Sequence, residues 1–140
     1  MKPHFKTVGE VKLTNDLWIG KNSLAIDAAM KLVETSFQGM MVLNSDHAVV
    51  GKITELDLLK ALKTDKDMKK TKVHEIMEPN PPLINTETPL ELVVDLMARH
   101  KLIRVPVIRD GVFIGSITRH DLLRAWLGLW NPRERGDGYA

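Results

Sequence analysis

The sequence predicts an α+β fold made of two pseudo-symmetric units that are packed as one globular module. The first observation behind this prediction is an internal repeat, because residues 51–59 return as residues 115–123 with Gly, Ile, Thr, Asp and two Leu in the same order. Such similarity indicates one supersecondary unit that is used more than once. The second observation is size: each unit has about 60 residues, near the lower limit for folding alone, so we expect the two to share a core.

Each unit is predicted to begin with a strand and a helix. The strand is a short apolar run, at residues 18–19 in the first copy and at residues 83–84 in the second. Ser23 and Thr88 then occupy the expected N-cap positions of the helix. Apolar residues follow at helical spacing, which predicts that one face of this helix is buried.

A β-hairpin and a second helix are predicted to complete each unit. In the second copy, two apolar, β-branched runs at residues 103–108 and 112–117 flank the turn sequence Arg-Asp-Gly, which is typical of a hairpin. Asp46 and His47 take the place of that turn in the first copy. The repeated Thr-x-x-Asp-Leu-Leu then begins the second helix, so each unit runs strand, helix, hairpin, helix.

The repeat divides the chain into four segments. We assign residues 8–62 to the first unit, residues 63–72 to a charged, exposed linker, residues 73–130 to the second unit and residues 131–140 to a flexible tail. The mixture of Lys and Asp in the linker favours simple solvation. The alternative is a contact with nucleic acid or with lipid headgroups. Binding of nucleic acid predicts an affinity that falls steeply with salt.

Composition narrows the classes of function. With no cysteine, no run of about 20 apolar residues and no signal-peptide pattern, the chain is expected to be cytoplasmic and to have neither disulfides nor a membrane span. A net charge of +2 is too small to indicate a nucleic-acid-binding domain. The 5 histidines lack metal-ligand spacing, and no nucleophile motif or P-loop occurs. We therefore expect no enzyme, no metal and no catalytic cofactor.

Each copy places a Thr and an Asp at the start of its second helix, as Thr54 with Asp57 and as Thr118 with Asp121. The simplest interpretation is a capping box, in which the Thr hydroxyl accepts a hydrogen bond from a backbone N–H. The alternative is a nucleotide site, because a helix N-terminus attracts phosphate and an adjacent Asp can accept hydrogen bonds from two ribose hydroxyls. A Gly at a fixed distance before each Thr favours the alternative, since it permits close backbone approach. The Asp also favours the nucleotide site, because a capping box prefers Glu or Gln at that position.

The repeated segment resembles the hallmark of tandem CBS domains, the pair that is called a Bateman module. That hallmark is Gly-hydrophobic-hydrophobic-Thr/Ser-x-x-Asp/Asn, and the chain has it twice, with Lys52 and Ser116 in the first hydrophobic place. The sequence Arg-Val-Pro-Val at residues 104–107 matches the family's entry into the hairpin, and residues 73–77 match its opening Val-x-Glu-Ile-Met. The resemblance covers roughly residues 8–126.

The resemblance implies a regulatory module that binds an adenosine compound such as AMP, ADP, ATP or S-adenosylmethionine. In the family the Asp binds ribose hydroxyls, the Thr lies near the phosphate, and the first strand and the hydrophobic-Pro pair hold the base. The implied nucleotide site in the second copy consists of Thr118, Asp121, Arg104, Val105, Pro106, Ile84, Arg119 and His120. The first copy lacks the matching cations and the Pro, which disfavours a phosphate. Its implied weaker site consists of Thr54, Asp57, Met40, Met41 and Ile19.

The last helix is predicted to be apolar on several faces, through Leu122, Leu123, Trp126, Leu127, Leu129 and Trp130. Such a helix is usually buried on several sides, and a partner subunit can supply the second surface. Because CBS pairs commonly associate through their helices, the resemblance implies a homodimer that signals to a regulated protein by a change of conformation or association. The alternative is a ligand-free structural or dimerisation module that serves as a protein interaction platform, in which both Thr-x-x-Asp corners are only helix caps.

Overall fold

The computed structural model describes residues 1–129, which form two compact units. The first-repeat unit is Asp16–Pro81, and the second-repeat unit combines Met1–Asn15 with the chain from Pro82 onward. The predicted tail at residues 131–140 and the predicted apolar Trp130 lie outside the described residues. Both units mix helices with a small sheet, so the predicted α+β class and the tandem organisation are confirmed.

The first-repeat unit contains a four-stranded sheet and two helices. The strands are β1 (Trp18–Gly20), β2 (Gly39–Leu43), β3 (Val49–Thr54) and β4 (Glu78–Pro79), and they lie side by side in that order. The helices are α1 (Ala25–Thr35) and α2 (Glu55–Lys63). Strand β1 pairs parallel to β2, whereas β2, β3 and β4 pair antiparallel, so β2 and β3 form the predicted hairpin.

The core of this unit lies between its helices and its sheet. Helix α1 buries Ala25, Ala28 and Leu32, whose spacing places them on one face, and the sheet contributes Met40, Val42 and Ile53. Met68 also belongs to this core and is only 7% exposed. The segment at residues 63–72 is otherwise largely exposed and contributes this one apolar side chain to the core.

The second-repeat unit repeats this arrangement with a three-stranded sheet. Its elements are β5 (Ile84–Asn85), α3 (Leu90–His100), β6 (Arg104–Arg109), β7 (Val112–Thr118) and α4 (Arg119–Trp126). Strand β5 pairs parallel to β6, and β6 pairs antiparallel to β7. The hairpin turns at Asp110 and Gly111, which both have positive φ, as expected for a two-residue hairpin turn.

The N-terminal segment of the chain completes the second-repeat unit. Val8 begins a short 3-10 turn, Val11 directly follows it, and both are almost fully buried in the core of this unit. Isolated bridges join Thr7 to Pro89 and Thr14 to Ser116. The corresponding turn of the second repeat, Val73–Glu75, likewise lies in the first-repeat unit, where Val73 is fully buried. The opening segment of each repeat thus belongs to the unit that the other repeat forms.

The two N-cap predictions for the first helices are wrong by one residue. Leu24 and Pro89 are the N-caps, without a side-chain hydrogen bond, and the helices begin at Ala25 and Leu90. The Thr88 hydroxyl instead accepts a hydrogen bond from the Asn85 N–H at 3.1 Å, within the preceding turn. None of the helices in residues 1–129 combines the length and apolar character that crossing a bilayer requires.

Candidate functional site

The Asp121 corner lies where strand β7 ends and helix α4 begins. Thr118 is the N-cap, and its hydroxyl accepts a hydrogen bond from the Asp121 N–H at 3.0 Å. The Asp121 carboxylate in return accepts a hydrogen bond from the Thr118 N–H at 2.9 Å through Oδ2. These reciprocal bonds form a capping box, so the simpler of the two sequence interpretations is realised in full.

A second hydroxyl lies at the same carboxylate. Thr14 donates a hydrogen bond of 2.8 Å to Asp121 Oδ2, and the backbone of Thr14 pairs with Ser116 through bonds of 2.8 and 3.0 Å. Asp121 and Ser116 are the two buried polar residues of the described chain, at 6% and 0% exposure. Asp121 is therefore a nearly buried carboxylate whose contacts extend beyond the helix that it begins.

The role of Thr14 was missing from the sequence interpretation. The match between residues 8–11 and residues 73–76, continued without a gap, places Thr14 at the position of Pro79. In the structure the equivalent residue is Glu78, one position earlier, because Thr14 bridges to Ser116 just as Glu78 pairs with Lys52. What the sequence did not reveal is that the opening segment of the first repeat packs on the second-repeat unit.

The repeated glycines have a steric role at these corners. A Cβ on Gly115 would lie 3.1 Å from the Thr14 carbonyl oxygen and 3.2 Å from the Leu13 Cβ, and Gly115 has a φ of 142°. A Cβ on Gly51 would lie 2.9 Å from the Glu78 carbonyl oxygen. Glycine in the hallmark therefore allows a neighbouring backbone to cross close to the strand in both units.

The apolar residues assigned to the base divide into two groups. Ile84 and Val105 belong to the hydrophobic core of the second-repeat unit, so their side chains are already occupied and only their backbone is suited to hold a base. Pro106 is buried and pairs with Ser116 in the β6–β7 register, next to the strand position that Thr14 bridges. Pro106 is consequently the assigned apolar residue that lies across from the strand position at which Thr14 meets the sheet.

The cationic residues assigned to the phosphate lie around the same strand end. Arg104 pairs with Thr118 in the β6–β7 register, and Arg119 and His120 are the first two residues of α4, both exposed. The Nε of Arg119 donates a hydrogen bond of 2.7 Å to the Leu102 carbonyl oxygen. The guanidinium of Arg119 is thereby held beside the groove between α3 and α4, which its side chain also lines.

The Asp57 corner repeats the capping box with different surroundings. Asp57 Oδ2 accepts hydrogen bonds of 2.9 Å from the N–H and from the hydroxyl of Thr54, and Thr54 Oγ1 lies 3.2 Å from the Asp57 N–H. In place of the Ser116 and Thr14 pair, this unit has Lys52 and Glu78, whose charged atoms lie 3.8 Å apart. The deviation of Lys52 from the hallmark is thus accompanied by an acidic neighbour on the adjacent strand.

The remaining residues of the weaker site are largely structural. Ile19 and Met40 belong to the core of the first-repeat unit, and Met41 is buried and pairs with Lys52 across the hairpin. Glu55 and Leu56 follow Thr54, where the other corner has Arg119 and His120. In residues 1–129, no group of three or more His, Asp or Glu side chains is placed to hold a metal ion.

Comparison with known proteins identifies this architecture. A family model described as "CBS domain" matches residues 8–64 and again residues 73–128. The CBS domain-containing protein CBSX1, chloroplastic, from Arabidopsis thaliana is 29% identical over 159 aligned residues, which cover 92% of this chain and 67% of that protein. The mitochondrial CBSX3 of the same plant is 30% identical over 114 residues, which cover 78% of this chain and 55% of that protein.

Solved structures show the same fold. The crystal structure of CBSX2 in complex with AMP matches with a TM-score of 0.72 at 29% identity, covering 89% of this chain and 98% of that one. The CBS domain pair of protein MJ0100, in complex with 5-methylthioadenosine and S-adenosyl-L-methionine, matches with a TM-score of 0.68 at 24% identity. CBS domain pairs are generally non-catalytic regulatory modules. With two family matches that together span most of its length, this chain belongs to the CBS-domain family as a tandem pair.

Proposed function

We propose that this chain is a non-catalytic regulatory module that binds an adenosine nucleotide at the Asp121 corner. The observation that carries the proposal is a nearly buried carboxylate at the N-terminus of α4, with two threonine hydroxyls beside it. In the described part of the chain, both donors to this carboxylate converge on Oδ2. We assign the ribose hydroxyls to Oδ1, since an ionised carboxylate can accept several hydrogen bonds.

The surroundings of this corner favour the binding of a phosphate group. The N-terminus of α4 offers backbone N–H groups and the positive end of the helix dipole. Arg104 and His120 lie at the same strand and helix ends and would add positive charge. AMP is the first candidate ligand, because CBSX2, at 29% identity, was crystallised with AMP.

The Asp57 corner is proposed to bind nucleotides more weakly or with a different selectivity. Glu55 replaces Arg119 at the first position of the helix, and Glu78 lies next to Lys52. The carboxylates of Glu55 and Glu78 repel an anionic phosphate. Lys52 offers little compensation, because its charge already lies beside Glu78. An adenosine compound without a phosphate would meet less repulsion at this corner.

Signalling is proposed to follow from a change of conformation or association. A ligand shifts such an equilibrium only by its difference in affinity between the two states, so the partner protein must recognise one state better than the other. Helix α4 ends at Trp126, so Leu127 and Leu129 follow the helix to which the sequence assigned them. We further propose that the chain forms a homodimer through its helices, because Leu123 of α4 is 62% exposed and Leu127, directly after the helix, is 50% exposed. The cytoplasmic location remains a prediction from the sequence.

A second function is favoured by one specific observation. Both capping boxes are complete without any ligand, and both carboxylates already accept hydrogen bonds from the protein. A structural or dimerisation module needs nothing more from these residues. In that case replacement of Asp121 changes stability alone, and no nucleotide stabilises the protein.

A thermal-shift titration separates the two functions. The wild-type chain, Asp121→Asn and Asp57→Asn are compared against AMP, ADP, ATP and S-adenosylmethionine, after any co-purified nucleotide has been removed. At a hundredfold excess over Kd, binding adds about 2.7 kcal/mol, which raises the Tm by several degrees. We expect the shift to survive in Asp57→Asn and to vanish in Asp121→Asn. Folded wild-type protein that responds to none of the four compounds would favour the structural module.

A further inference from the structure

The end of α2 and the segment that follows it concentrate positive charge. Residues 60–72, which we call the lysine segment, contain six of the chain's 20 Lys and Arg residues but only two of its 18 Asp and Glu residues, so the rest of the chain is net negative. The six lysines are Lys60, Lys63, Lys66, Lys69, Lys70 and Lys72. All six side chains are exposed.

The lysine segment is fixed to the first-repeat unit by its backbone. Met68 is buried in the core of the unit, and its carbonyl oxygen accepts a hydrogen bond of 2.9 Å from the Ile26 N–H. The Thr71 carbonyl oxygen accepts a bond of 2.8 Å from the Ala25 N–H. These carbonyl groups satisfy free N–H groups in the first turn of α1, whose N-cap Leu24 makes no side-chain hydrogen bond. Because the backbone is already held in place, its lysines need little further ordering when they meet a partner.

The carboxylates nearest in sequence to these lysines are used for backbone hydrogen bonds. Asp67 Oδ1 accepts a bond of 3.0 Å from the Lys69 N–H, and Glu75 Oε2 accepts a bond of 2.6 Å from the Lys72 N–H. Within residues 1–129, none of the six lysines forms an ion pair with a carboxylate. The alternation of Lys and Asp in the sequence therefore does not become mutual neutralisation in the structure.

Two further acidic residues reduce the positive charge without cancelling it. Asp65 lies within the lysine segment, and Asp27 lies in the first turn of α1, which the segment covers. Both side chains are exposed. Even when Asp67 and Glu75 are counted with them, the six lysines remain in the majority, so this part of the first-repeat unit presents a cationic surface.

We propose that the lysine segment binds the surface of an anionic lipid bilayer. Clusters of about four to eight Lys or Arg residues are typical of segments that are attracted to anionic headgroups. Lysine suits this contact, because its ammonium group is a compact charge on a flexible stem, whereas arginine predominates where individual phosphates are recognised in a fixed geometry. The attraction is electrostatic and requires no segment that crosses the bilayer.

Nucleic acid fits the same surface less well. Residues 60–72 contain no arginine and no aromatic residue, so the side chains that most often read guanine or stack on bases are missing from the segment. Binding through the phosphate backbone alone depends on many cationic contacts over a broad surface. Outside the segment the chain is net negative. A bilayer can instead gather its mobile anionic lipids at a small cationic surface.

Vesicle co-sedimentation tests the proposal with a matched pair of variants. Vesicles of equimolar phosphatidylcholine and phosphatidylglycerol are compared with vesicles of phosphatidylcholine alone, at low salt and without nucleotide. Lys69→Ser with Lys70→Ser removes two charges from the lysine segment. Lys2→Ser with Lys6→Ser removes two charges from the equivalent place in the second-repeat unit, where the Lys6 carbonyl oxygen accepts a hydrogen bond from the Leu90 N–H. At about fivefold per lysine, we expect the first variant to bind the anionic vesicles about 25-fold more weakly and the control to bind almost like the wild type.

The wild type is further expected to leave phosphatidylcholine vesicles unbound and to lose the anionic vesicles as salt is raised. Absence of binding to the anionic vesicles at low salt would overturn the proposal. Equal weakening in both double variants would also overturn it, because net charge rather than the lysine segment would then attract the bilayer. Tighter binding to a random-sequence DNA duplex than to the vesicles, lost in the first variant, would identify a nucleic-acid interface instead. Far-UV circular dichroism and the Tm establish that each variant is folded.

Discussion

The hydroxyl of Thr14 donates a hydrogen bond of 2.8 Å to the carboxylate of Asp121, which lies 107 positions later in the chain. The same carboxylate accepts a hydrogen bond from the backbone of Thr118 and so caps α4. One buried acidic group thus connects the N-terminal segment with the helix at whose start we place the nucleotide. Stability and ligand binding are expected to depend on this group together.

Replacement of Thr14 tests the contribution of this bond. Thr14→Val keeps the shape of the side chain and removes the hydroxyl, so we expect the free energy of unfolding to fall by about 1 kcal/mol. Thr14→Ser retains the donor and serves as the control. Urea denaturation of the three proteins gives the difference, and equal stability of Thr14→Val and wild type would contradict the proposed strength of the contact.

The two aspartates are expected to differ in their effect on stability. Asp121→Ala leaves the Thr14 hydroxyl and the Thr118 N–H without their shared acceptor in a buried place, which costs about 1–3 kcal/mol. Asp57 is less buried and both of its donors come from the adjacent Thr54, so Asp57→Ala should cost about 1 kcal/mol. Denaturant titration of both variants measures how much unfolding free energy each one loses. A larger loss in Asp57→Ala than in Asp121→Ala would contradict the expected order.

Two glycines provide a matched test of the close approach in the hallmark. In Gly51→Ala the new Cβ would overlap the Met77 sulfur and lie 2.9 Å from the Glu78 carbonyl oxygen, so we expect a loss of about 2–3 kcal/mol. Gly111 has a φ of 79° and no atom within 4 Å of an added Cβ, so Gly111→Ala should cost about 1 kcal/mol from backbone strain alone. Thermal unfolding of both variants compares the stability lost to steric crowding in Gly51→Ala with the stability lost to backbone strain in Gly111→Ala. If the Gly111 variant were the less stable one, crowding would not be the reason for the repeated glycine.

The Lys52–Glu78 pair is expected to contribute little to stability. Its charged atoms are 3.8 Å apart and the side chains are 29% and 63% exposed, so Lys52→Met should change the free energy of unfolding by less than about 1 kcal/mol. Glu78→Gln is the matched control for the partner. A loss above about 2 kcal/mol in either variant, measured in urea at low salt, would show that this pair holds the edge strand in place.

Much of the local structure follows from the sequence because the responsible signals are local. The Asp110-Gly111 turn fixes the second hairpin, and the Thr-x-x-Asp corners form capping boxes at both predicted positions. The first helices begin one residue later than predicted, since Thr88 bonds within the preceding turn and Pro89 takes the N-cap position. The sequence could not show this, because a Thr hydroxyl serves a turn and a cap equally well.

The site was less predictable because it depends on contacts between distant residues. The match of Val8 with Val73 indicates that both open a repeat, but it does not tell which core buries either of them. Thr14 becomes a neighbour of Asp121 only because the opening segments are exchanged between the units. The resemblance assigns Ile84 and Val105 to the base, but the sequence did not show that their side chains fill the core and leave only their backbone for that role. In each case the missing information was tertiary packing.

The exchanged opening segments also determine when each unit can be completed during synthesis. The first-repeat unit is one continuous stretch, Asp16–Pro81, and can fold as soon as that stretch has left the ribosome. The second-repeat unit needs Met1–Asn15, which emerge first and must wait for the strands and helices that follow Pro82. Closing so long a loop costs entropy and slows folding. Within residues 1–129, the Asp121 corner therefore forms only after α4 has been synthesised and has met the N-terminal segment that carries Thr14.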